Sequence, residues 1–79
     1  MTRYTVVMNE RNMREILDRR PFSPIKIVLS SGQEVVVTHP ENVLLTKTKM
    51  VVSYPEKDLI TWLPLLNVAG VEAVEVQAA

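Results

Sequence analysis

His39 is the only histidine in the chain, and Glu41 stands two positions later, close enough for an imidazole and a carboxylate to share a proton or a metal ion. Acid-base work or metal binding would need both groups held on one substrate or ion. The intervening Pro40 offers a plainer account, a His-Pro bend whose ring bonds local backbone. There is no cysteine, which removes a thiolate nucleophile, disulfides and thiolate metal sites. No spacing of serine, histidine and carboxylate suggests a triad. The residues therefore predict no enzyme, no metal site, no cofactor and no small-molecule substrate.

Two further groupings point to binding. Lys47 and Lys49 alternate with Thr46 and Thr48 in one turn, and with His39 and Asn42 they form a candidate contact for the phosphates and bases of single-stranded RNA. A solvated turn explains the same lysines, just as a helix end suits the cations Arg19 and Arg20. Trp62 is more informative. In "LITWL", Leu59, Thr61 and Leu63 face one way and Ile60 and Trp62 the other, so one apolar set needs cover beyond a single sheet face. Val28, Val36, Val74 and Val76 add apolar positions opposite those assigned inward. The candidate interface is Trp62, Ile60, Val28, Val36 and Val74; the competing reading places Trp62 in an ordinary core, because "EVVVT" and "VLLT" define no unique face.

These side chains must be positioned by a small scaffold. The 79 residues allow one domain, and 47% of them are apolar, whereas a domain this small buries only ~60% of the surface of its unfolded chain. Some apolar surface is left for a partner. Nine basic and nine acidic side chains cancel without long runs of either sign, which argues against a duplex-binding footprint. No apolar stretch approaches the ~20 residues of a membrane span, and the amino terminus lacks a secretory pattern, so the expectation is a soluble cytoplasmic protein with no membrane partner.

Residues 1–8 form a tail or an extra strand, ahead of a single domain over 9–76. Asn9 reads as an N-cap, Met8 and Met13 as a hydrophobic staple, and Met13, Ile16 and Leu17 as the apolar stripe of a helix over about 9–20 that Pro21 stops. Phe22, between Pro21 and Pro24, plugs the helix-to-sheet junction. The period then changes to two: a strand over about 25–30, a tight turn at Ser31-Gly32, and a long strand over about 33–46 kinked at Pro40. Strands over 49–54, 59–63 and 70–76 follow, with turns at "TKTK" and "PEKD" and a 3₁₀ turn in "PLLNV". The expected fold is mainly β with one N-terminal helix, a five-stranded antiparallel small barrel whose closure would remove exposed edges.

This order of elements is similar to the Sm-like fold, the SH3-like small barrel of Sm, LSm and Hfq proteins. Pro21, Phe22, Pro24, Leu29, Gly32, Val37, His39, Pro40 and Glu41 also make the chain resemble a family of short uncharacterised bacterial proteins with Pro-Phe-x-Pro and His-Pro-Glu motifs. Ile25 stands where that family's second phenylalanine is expected. The Sm-like resemblance implies a ring-forming or pairing module that often binds single-stranded RNA through its loops. Neither Sm loop motif is present: "PENVLL" supplies only Asn42 at the first, and "LNVAG" has no cation at the second.

The first expectation is a non-enzymatic interaction or scaffold module that forms a homo-oligomer. An Hfq-like RNA binder is the alternative, and a small partner subunit of another protein the third.

Overall fold

A computed structural model describes residues 8–74. The extra strand considered for residues 1–8 and the end of the last strand, Val76 included, therefore lie outside the described residues, apart from Met8. Among those residues the chain forms one helix, α1 (Glu10–Leu17), and six strands: β1 (Ile25–Leu29), β2 (Glu34–Val37), β3 (Val43–Leu45), β4 (Lys49–Tyr54), β5 (Leu59–Pro64) and β6 (Val68–Ala73).

α1 begins as its sequence dictates. Asn9 is extended, and its side-chain oxygen accepts the Asn12 N–H at 2.8 Å, while Met8 and Met13 are both buried. The helix ends at Leu17, short of the expected 20. Asp18 closes the last turn through its N–H to the Arg14 carbonyl at 2.9 Å, and the Arg20 guanidinium donates to the Leu17 carbonyl at 2.9 Å. Pro21 disfavours the helical region for Arg20, so the chain uses the side chain of Arg20 to satisfy a carbonyl that a further turn would have used.

β1 and β2 make the expected hairpin. Gly32 turns it at φ +92°, in the left-handed region, and no atom lies within 4 Å of where a Cβ would stand, so the requirement is conformational rather than steric. The long strand expected over 33–46 is broken. Thr38 and His39 leave the ladder, and Pro40–Asn42 form a 3₁₀ turn headed by the proline, which has no N–H to donate. This break moves the chain between sheets: β2 pairs with β1, whereas β3 pairs with β4. Six antiparallel strands in two three-stranded sheets, β2-β1-β6 and β3-β4-β5, replace the five expected, and their hydrogen-bond ladders do not close into a barrel. β6 begins at Val68, two residues before Gly70, because the turn Leu65–Asn67 already returns the chain to β1, where the Ser30 N–H meets the Asn67 carbonyl at 2.7 Å.

One core lies between the inner faces. Ile25, Ile27, Val35, Val37 and Val68 come from the first sheet, Met50, Val52 and Leu63 from the second, and Met8, Met13 and Leu17 cover it from the helical side; Phe22 packs against its rim. Tyr54 ties the sheets together, its hydroxyl donating to the Val36 carbonyl at 2.9 Å. Burial first and the nearby Glu56 carboxylate second hold this hydroxyl above its ordinary pKa of 10.0. Because the folded value is raised, the contribution is complete below pH 10 and is lost as pH rises through the folded pKa. Tyr54→Phe should cost about 1 kcal/mol at pH 7 and reduce the loss of stability between pH 7 and pH 11, as measured by urea unfolding at both values.

Candidate interaction surface

The two sheets present very different outer faces. On β2-β1-β6, Lys26 stands between Val36 and Glu72 in the register, and its ammonium lies 3.4 Å from a Glu34 oxygen and 3.5 Å from a Glu72 oxygen. The hydrogen bond and charge of Glu34, then those of Glu72, raise the pKa of Lys26. A cross-strand ion triad of this kind suits a solvated sheet face.

On β3-β4-β5 most outer positions are apolar, with Ser53 and Lys49 the polar ones on β4. Hairpin register places Leu44 opposite Val51 and Val51 opposite Trp62, an unbroken cross-strand row, with Ser53 opposite Ile60 in the next row. Trp62 is 62% exposed, Ile60 73% and Leu44 64%. The inward neighbours Met50, Val52 and Leu63 are buried, so alternation produces this surface in the central rows, although Leu59 at the start of β5 is exposed as well. A shallow groove of about 360 Å³ opens beside Trp62, lined by Leu29, Gln33, Glu34 and Val35 of the first hairpin with Tyr54 and Thr61. Trp62 is thus outward-facing rather than a core residue, and its indole borders space that another side chain can occupy.

The candidate interface residues do not all share this face. Trp62 and Ile60 do. Val28 is 8% exposed and lies on the other sheet, between Glu34 and Gly70 in the register; Val36, 38% exposed, is also on that sheet, opposite Lys26; and Val74 is half-buried beyond the end of β6, its N–H on the Pro24 carbonyl at 3.1 Å. The parity of the β1 and β2 residues was readable, but which sheet each strand joined depended on the break at Pro40. Leu44 and Val51 belong to the face and were missed, although a signal existed. A four-residue "TKTK" turn pairs Leu45 with Met50, and that register carries Leu44 to Val51 and, through the next hairpin, to Trp62.

No family model, curated protein or solved structure matches the chain.

The candidate RNA contacts are spread out. His39 precedes and Asn42 ends the 3₁₀ turn before β3, whereas Lys47 lies in the turn after β3 and Lys49 begins β4. Asn42 is half-buried and its carbonyl accepts the Ser53 hydroxyl at 3.3 Å. His39 and Glu41 are exposed, with Nδ1 and Oε1 3.6 Å apart, beyond hydrogen-bond length. Lys49, opposite Pro64, takes the outer-face parity of Val51 and so flanks the apolar row. Among the described residues no three His, Cys, Asp or Glu side chains cluster to hold a metal, and no helix is long and apolar enough to cross a membrane.

Proposed function

We propose that the protein is a non-enzymatic interaction or scaffold module, an Sm-like or SH3-like small-barrel variant, that self-associates through the outer face of β3-β4-β5 with help from adjoining strand edges. The observation that carries this reading is the Leu44–Val51–Trp62 row with Ile60 beside it: Leu44, Ile60 and Trp62 leave on the order of 400 Å² of apolar surface in contact with water, the size of patch that marks an interaction site. The ion triad on the other outer face marks that face as the solvated one. The helix followed by short antiparallel strands, with a sharp bend at His39–Asn42, supports the Sm-like reading of the fold.

Light scattering on a size-exclusion column tests it. The expected result is twice the chain mass or a higher multiple at both ~50 mM and ~1 M salt, since burial of apolar surface is not screened by ions. A monomer at ~1 mM chain would sink the proposal.

A second reading, single-stranded RNA on this same face, is favoured by one observation: Trp62 offers an exposed ring for base stacking within reach of the Lys49 flank. Its signature is an affinity that falls steeply with salt. Saturable oligonucleotide binding with that slope, by a chain that stays monomeric, would favour RNA; a monomer that binds none would point to the partner subunit of another protein.

A further inference from the structure

The outer face of β3-β4-β5 is electrically polarised along its strands, and that polarity selects one way of pairing two copies. At the end where β4 starts stand Lys47 and Lys49, both exposed. At the far end, ~17 Å away along β4, the turn into β5 carries Glu56, Lys57 and Asp58, all exposed and one unit negative in sum. None of Lys47, Lys49, Glu56 and Asp58 makes an ion pair among the described residues, in contrast to Lys26 on the other sheet. The apolar rows lie between the two charged ends.

We infer that two copies pack these faces together about a two-fold axis that crosses the strands, so that Lys47 and Lys49 of each copy meet Glu56 and Asp58 of the other. The inference rests on the self-association proposed above and adds its geometry. Two-fold symmetry makes the same patch serve both sides, and a face-to-face pair has two simple choices of axis. An axis along the strands sets lysines over lysines and acids over acids. An axis across them sets opposite charges together at both ends, with the strands antiparallel between copies. It also lays β4 on β4 and β5 on β5 with the rows exchanged, so that Val51 of one copy faces Ser53 of the other and Trp62 faces Ile60. The area is adequate. The apolar rows supply about half of the ~800 Å² per partner that a stable dimer buries, and the charged rims with Pro64 and Ser53 are placed to supply the remainder.

A mixture of ¹⁵N-labelled and unlabelled chains treated with a carbodiimide reports the pairing directly, because an amide forms only where an ammonium touches a carboxylate. The expected products are inter-chain links from Lys49 to Glu56 or Asp58, recovered from the dimer fraction. The double substitution Lys47→Glu, Lys49→Glu should weaken dimerisation about tenfold at low salt, and adding Glu56→Lys and Asp58→Lys to the same chain should restore it, since the swapped ends again attract. A stable dimer that lacks these links, or that is indifferent to the charge reversal, would overturn the axis while leaving the apolar face in place. A chain that is monomeric throughout would overturn the self-association itself.

Discussion

Trp62→Glu is expected to raise the dimer dissociation constant at least about a hundredfold, measured by light scattering across a dilution series, while the chain stays folded. The two halves of this expectation come from one geometric fact. Trp62 sits in the Leu44–Val51–Trp62 row with most of its ring in solvent, so the monomer loses little packing when the indole is removed, and substitutions at exposed positions seldom move stability by more than ~0.5 kcal/mol. In the proposed dimer the same ring is the largest apolar group on the face and borders a groove. Interfaces concentrate their energy in such aromatic anchors, with ~2 kcal/mol or more lost on truncation. Glutamate does more than truncate. It places an unpaired carboxylate opposite Ile60 of the other copy, and the desolvation of that charge adds to the loss. Val36→Glu is the matched control. It puts the same charge on the other outer face, opposite Lys26, and should leave the oligomeric state unchanged. Dissociation by Val36→Glu, or unfolding by Trp62→Glu, would show that the wrong face had been assigned to the partner.

How much of this could be read from the amino-acid sequence depended on the range of the interaction concerned. Asn9, Met8 and Met13 set the start of α1 because a cap and a staple act within five residues, and Gly32 set the first turn because a positive φ is a property of one residue. The alternation of Ile25 and Ile27 was legible for the same local reason. Pro40 was legible as a break but not as a change of sheet, since that is decided by the β3-β4 hairpin setting Met50 and Val52 into one core with Ile25, Ile27, Val35 and Val37 of the other sheet, a packing between segments well separated in sequence. That one nonlocal choice separated Val28 and Val36 from Trp62 and brought Leu44 and Val51 to it. The three-residue "VLL" strand carries no polar position to declare its outward side, and only its register with β4 does so. The oppositely charged ends were equally hidden: Lys49 and Asp58 read as unrelated turn residues until β4 and β5 place them at the two ends of one surface.

Leu63→Ala should have the opposite consequence to Trp62→Glu, one residue away. Leu63 is 2% exposed and stands opposite Met50, which is fully buried, in the part of the core contributed by β3-β4-β5. Removing its isopropyl group leaves a cavity lined by side chains that the strand ladders on either side prevent from collapsing, for which about 3 kcal/mol is the typical cost. A domain of this size has only ~5 kcal/mol of net stability in hand, and each kcal/mol shifts its melting temperature by ~4–8 °C, so the midpoint should fall by ~12–24 °C. Self-association should be affected only through the unfolded fraction. At a temperature where the variant is still native, its dimer dissociation constant should match that of the parent chain, because the outward row is unchanged. The pair of substitutions thus separates two roles that adjacent residues of one strand perform. A period of two sends Leu63 to the core that holds the sheets together and Trp62 to the surface through which two copies are proposed to join, and a variant at either position that disturbed both properties equally would mean that β5 does not divide its faces in this way.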